Sequence, residues 1–192
     1  MTNDTSRISL AIRKGVTYER LPQFENDINM SIWVRIKTGR RKWTYFCGCY
    51  RQWKAPEGTP GPSDNTKEDQ KERFEALTKQ IDTVVNLGKP VVVGGDLNID
   101  RNVKNNPLKR GDVKIVTELL EAMMTRNKMY QLNWENTRHR INTPSSLLDL
   151  IITNIPTKID SIATKANIIS DHSLVSFQVH SKALTNHPQI EM

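Results

Sequence analysis

Cysteine is scarce in this chain, with Cys47 and Cys49 the only two among 192 residues. Two thiols do not make a disulfide scaffold, and no Cys or His cluster completes a four-ligand zinc site around them. At a spacing of two they belong on one face of a strand, as buried thiols. There is no glycine period and no sustained heptad run, which excludes collagen-like and coiled-coil folds. No apolar stretch approaches the ~20 residues that span a bilayer. Residues Met1 to Arg7 lack the apolar core of a signal peptide. These absences predict an intracellular protein, nuclear or cytoplasmic.

What is present describes one globular unit. Hydrophobic residues make up 36% and charged residues 26%, too apolar for a chain disordered by composition. The length suits a single domain with a real core. The net charge is +7, and it is unevenly spread. Residues 1–54 hold eleven Lys/Arg against four Asp/Glu, residues 55–100 five against nine, and residues 101–192 twelve against eight. Arg35, Lys37, Arg40, Arg41 and Lys42 crowd one stretch, and Arg101, Lys104, Lys109 and Arg110 another. Two such segments on one fold can track a phosphate backbone, or they are a solvated hairpin tip and a solvated loop.

Patterning predicts strands at Ile8 to Arg13, Ile28 to Lys37, Trp43 to Tyr50, Val91 to Gly95, Ser146 to Thr153 and Leu174 to Val179. Thr38 to Arg41 supplies the turn of a hairpin, and Lys54 to Ser63, with three prolines and two glycines, a loop. The run Val91-Val92-Val93 suits a strand covered on both faces. Asp64 to Leu87 and Asp112 to Lys128 carry apolar residues at helical spacing, with Gly88 a C-cap for the first. A basic loop joins Ile99 to Arg110. The predicted domain is 8–180, with 1–7 a short start and 181–192 a tail.

Four polar sites interrupt apolar strands or their ends. Gly94-Gly95-Asp96-Leu97-Asn98 presents a carboxylate and a carboxamide two apart. That pair can activate a water and donate to a phosphate oxygen, although the same residues also make turns. Asp149 sits in Leu147-Leu148-Asp149-Leu150-Ile151, where an unpaired carboxylate is costly unless the strand is an edge. Ser170-Asp171-His172-Ser173 precedes the last strand, and a bend there would bring Asp171 and His172 to one site. Tyr50 and Arg51 close the second hairpin strand, where a phenol and a guanidinium can meet phosphates.

In this order, Gly48-Cys49-Tyr50-Arg51, Gly94-Gly95-Asp96-Leu97-Asn98, Ser146-Leu147-Leu148-Asp149-Leu150-Ile151-Ile152-Thr153-Asn154 and Ile169-Ser170-Asp171-His172-Ser173 resemble the endonuclease/exonuclease/phosphatase superfamily. They are most similar to the apurinic-like endonuclease domain of non-LTR retrotransposon polyproteins. The resemblance runs from about Ile8 to Val179. It implies an α/β fold, a four-layer α-β-β-α sandwich, and phosphodiester hydrolysis with Mg2+ or Mn2+. It implies that Asp96 handles the attacking water and Asn98 supports the scissile phosphate. Asp149 would orient His172, His172 would contact the phosphate, Tyr50 would hydrogen-bond it, and Asp171 would lie near the metal. Arg51, Arg101, Lys104, Arg138 and Arg140 become the expected nucleic-acid contacts. DNA is the implied partner, with a reverse transcriptase domain in the parent polyprotein, and the protein is expected to be a monomer.

The family's first strand, ending in Asn, and its strand ending in the metal-ligand Glu have no counterpart here. The chain therefore reads as the C-terminal majority of such a domain, an N-terminally truncated sandwich. Three functions stay open: a DNA-nicking endonuclease, weakened or lost; an inactive nucleic-acid-binding remnant; and a phosphatase or phospholipase of the same superfamily. Trp33, Trp43 and Trp53 read as core or loop anchors.

Overall fold

Two hydrophobic clusters on opposite faces of one sheet organise the chain. The computed structural model describes residues 8–25, 30–51, 67–101, 111–142, 144–167 and 169–180. Ten elements position the site: β1 (Tyr18–Arg20), β2 (Met30–Gly39), β3 (Lys42–Tyr50), α1 (Lys67–Asn86), β4 (Val91–Asp96), α2 (Gly111–Arg126), β5 (Tyr130–Gln131), β6 (Asp149–Thr153), β7 (Ile159–Lys165) and β8 (Leu174–Val179). Six of the strands form one sheet in the order β1-β2-β3-β4-β6-β5, and β7 and β8 form a second.

The hairpin β2–β3 is antiparallel, and β4 then joins β3 in parallel after the α1 crossover. Val91 and Val93 of β4 face the helices. There they join Tyr45, Cys47 and Cys49 of β3, Phe74, Leu77, Ile81 and Val84 of α1, and Val116, Leu120 and Met123 of α2. Val92 points the other way, with Ile151, Ile159, Phe46, Val175 and Phe177, against the small sheet. β4 is thus covered on both faces, as its all-valine run predicts. Among the described residues the layers are a helix pair, the six-stranded sheet and the two-stranded sheet, an α/β sandwich. Gly88 ends α1 with φ +67 and donates its N–H to Val85. Cys47 and Cys49 are free and buried. Burial, then the neighbouring Cys49, pushes the Cys47 thiol well up; both thiols, buried and unbridged, are packing groups.

The strand expected at Ile8 to Arg13 is not formed. That stretch takes no strand conformation and turns at Arg13–Val16, where Gly15 takes φ +92. Among the described residues the first strand is β1, whose three side chains are all exposed and so leave no apolar signature. β7 escapes pattern reading because Ser161 adopts φ +51 at a register shift, which breaks the alternation of a polar strand. The loop at Lys54 to Ser63, Trp53 and the tail 181–192 lie outside the described residues.

Candidate active site

Strand register alone draws three of the singled-out residues into a row. Tyr50 pairs with Asp96 across the parallel β3–β4 ladder, and Asp96 pairs with Asp149 across the antiparallel β4–β6 ladder. Laterally paired residues share a face. These three therefore share the face of Phe46, Val92 and Ile151, which is turned toward the small sheet. His172, just before β8, completes the group. Its Nδ1 lies 2.8 Å from Asp149 Oδ2, with the two side chains 29% and 21% exposed. Ligand atoms of Asp96, Asp149 and His172 all lie within 4.8 Å of one another.

Gly95 permits the close approach at the head of this row. Its φ is +148, and a Cβ there would sit 1.8 Å from the Cys49 carbonyl oxygen. Beyond it the chain is clamped. The Asn98 N–H donates to Asp96 Oδ1 at 2.8 Å, and Asn98 Nδ2 donates to the Arg51 carbonyl at 2.8 Å. Asn98 itself takes φ +49, the left-handed region that Asn tolerates.

Arg51 does not project toward a ligand. It is buried, and its guanidinium donates to the carbonyls of Leu97 (2.5 Å) and Asn98 (2.7 Å) and to Gln70. A guanidinium spent on buried carbonyls holds the Asp96–Asn98 loop and does not reach a phosphate. Arg101 is likewise turned inward, 11% exposed, and bonded to Gln131 and Glu121, each at 3.0 Å. Lys104 lies outside the described residues.

Asp171 and His172 part company. Asp171 accepts from Arg140 at 2.6 Å and Arg138 at 3.2 Å, and these hydrogen bonds hold its carboxyl down at about 2. The carboxylate expected beside the metal is thus engaged with two of the arginines expected to meet DNA. Asp96, Asp149 and His172 are the residues that converge.

Two residues passed over by sequence reading set this convergence. The Thr137 hydroxyl oxygen accepts the N–H groups of Leu148 (3.1 Å) and Asp149 (2.9 Å), while its own carbonyl accepts the Ser173 N–H at 2.7 Å. One fully buried threonine thereby ties the Asp149 segment to the His172 segment. Asn133 accepts the Ile151 N–H and donates to the Asp149 carbonyl, at 2.8 and 2.7 Å. A polar residue in a loop reads the same from sequence whether buried or exposed, so neither carried a signal.

Burial holds the Asp96 carboxyl above its ordinary value; the Asn98 N–H opposes this, and the nearby Asp149 reinforces it. Two half-buried carboxylates this close favour a cation between them. Carboxylate oxygens are the donors that Mg2+ and Mn2+ select, and an imidazole is compatible with Mn2+. The residues present fit such an ion.

The family described as Endonuclease-reverse transcriptase matches the chain over residues 45–176, a span that holds all the residues of this site. No curated protein matches the chain. Among solved structures, the chain is similar to the endonuclease domain of TRAS1, a telomere-specific non-LTR retrotransposon. That match has 16% identity and a TM-score of 0.65, over 89% of this chain and 72% of that one. It is also similar to the 3'-5' exonuclease NExo from Neisseria meningitidis, with 11% identity, a TM-score of 0.54 and coverage of 77% and 64%. A third is the 3' phosphatase NExo from Neisseria bound to product DNA hairpin, with 11% identity, a TM-score of 0.59 and coverage of 88% and 72%. At these identities the likeness is one of fold, and the fold is that of the endonuclease/exonuclease/phosphatase superfamily. No helix among the described residues is long and apolar enough to cross a membrane.

Proposed function

The chain belongs to the endonuclease-reverse transcriptase family, and on that premise we propose that it hydrolyses phosphodiester bonds of DNA as a nicking endonuclease of retrotransposon origin. The observation that carries this reading is the meeting of Asp96, Asp149 and His172 within 4.8 Å at the seam between the two sheets. With Nδ1 turned to Asp149, the imidazole leaves Nε2 to contact the scissile phosphate and stabilise its developing charge. Asp96, its Oδ1 held by the Asn98 N–H, orients the attacking water and takes its proton. Tyr50, in register with Asp96, donates its phenol to the phosphate, while the Asn98 amide, turned to the Arg51 carbonyl, holds the loop that carries Asp96. Asp96 and Asp149 would hold Mg2+ or Mn2+, which when bound would neutralise charge at the phosphate. Arg138 and Arg140, oriented by Asp171 beside His172, extend a positive rim for the DNA backbone. A reverse transcriptase domain of the same polyprotein is the partner this assigns, and the setting is intracellular.

The test is relaxation of supercoiled plasmid by the purified chain with Mg2+ or Mn2+. Asp96→Asn and His172→Ala are each expected to slow nicking at least about 100-fold, and a chelator to stop it. No nicking by the wild type with either metal would leave an inactive binding remnant. Because the fold also houses a 3' phosphatase, an oligonucleotide with a 3' phosphate is assayed alongside. Phosphate release without nicking would replace the endonuclease reading.

A further inference from the structure

The basic stretch at the β2–β3 turn plays no part in the site above. It lies at the far end of the sheet. β4 leaves Pro90 and runs six residues to Asp96, so the two ends are about 17 Å apart. Four chain segments meet at this far end: the β2–β3 turn, the Gly88–Pro90 turn before β4, Lys158 before β7, and the exit of β8. They enclose a concavity of about 1130 Å³ with no Asp or Glu in its lining. Arg40, Arg41, Lys42, Lys89 and Lys158 line it; all five are exposed, and among the described residues none has an ion-pair partner. Two further lining residues are already paired, Arg35 with Glu19 and His180 with Asp160. Arg35 in turn stacks 4.7 Å from the centre of the Trp43 ring.

We propose that this concavity is a second nucleic-acid site, which takes the sugar-phosphate backbone of a single strand independently of base sequence. Five exposed cations on three segments around a space of about 1130 Å³ suit a run of phosphates rather than one. Arginine forks pair bidentately with phosphate oxygens. A single strand can enter a concave space, whereas a duplex is a convex rod that would meet only its rim. The lining holds no Asn, Gln, Asp or Glu to read base edges, so binding rests on charge. The choice of a nucleic acid over an acidic peptide rests on the DNA chemistry proposed at the other end of the sheet.

The experiment is fluorescence anisotropy of the full chain with a fluorescein-labelled single-stranded oligonucleotide of about 24 nucleotides. It is run in chelator, so that cleavage plays no part, across about 50 to 300 mM KCl. Arg40→Gln/Arg41→Gln/Lys42→Gln is expected to weaken binding at least tenfold at the lowest salt. It should also flatten the slope of log affinity against log salt by about 2. Lys89→Gln/Lys158→Gln, on separate segments, should flatten it by about 1.4. Lys71→Gln/Lys114→Gln, on the helices and outside both sites, should leave the slope unchanged; because binding is read in chelator and nicking with metal, a failure of the nicking reading and a failure of this one are told apart. Wild-type affinity and slope in both charge variants would overturn the proposal. So would poly-glutamate that binds through these residues and displaces the oligonucleotide at equal charge, since the partner would then be an acidic protein.

Discussion

Thr137 and Asp171 work on the two flanks of His172, one through the backbone and one through charge. Thr137 has no charge to lose, but Asp171 does. Its carboxyl titrates at about 2 in the fold against an ordinary 3.8, because Arg140 and Arg138 bond to the ionised form. The depressed value fixes the sign: the stabilisation is fully present above about pH 4 and is lost as pH falls through about 2. A carboxyl carbon NMR titration should therefore place Asp171 near 2. In Arg138→Gln/Arg140→Gln it should return toward 3.8, and a midpoint near 3.8 in the wild type would contradict the pairing. At this scale the sequence was legible where a polar residue interrupted an apolar run, as at Asp96 and Asp149. It was misleading for Arg51, because a guanidinium beside a strand end gives no sign that buried carbonyls of Leu97 and Asn98 will claim it.

Among the elements, β4 carries the most constraint. Its first half packs on both faces, and its second half must pass so near β3 that only glycine fits at 95. Gly95→Ala would force Cβ against the Cys49 carbonyl in a backbone region closed to L side chains. We expect a cost of about 3 kcal/mol, or roughly 6 to 12 °C in Tm for a domain of this size. Gly48→Ala, where the nearest atom to a new Cβ is Ile8 Cγ2 at 3.8 Å, should move Tm by no more than about 2 °C. Thermal melts of the two variants decide the matter; equal losses would mean that the tight crossing at Gly95 does not limit stability. β4, β8 and both helices could be read from the periodicity of their apolar residues. β1, β5 and β7 could not, because short or polar strands are specified by the partner they pair with and not by their own pattern.

At the scale of the whole molecule, burial among the described residues is lopsided: twenty of them form the buried cluster beneath the helices and three the cluster under the small sheet. There Val175, Phe177 and Val179 are half-buried. Amide hydrogen exchange should accordingly release β7 and β8 well before β3, β4 and β6. Uniform protection across both sheets would show that they open as one unit. The charge map was only half legible at this scale: the sequence marked the basic stretch, but not that Lys89 and Lys158 fold up beside it. Finally, Asp96 and Asp149 ride on the well-buried sheet, while His172 arrives with the lightly held one. The reacting constellation is therefore an interlock. A nascent or half-unfolded chain has the carboxylates without the imidazole. On the proposed chemistry, cutting power comes last in assembly and goes first in unfolding, so stray intermediates leave surrounding nucleic acid intact.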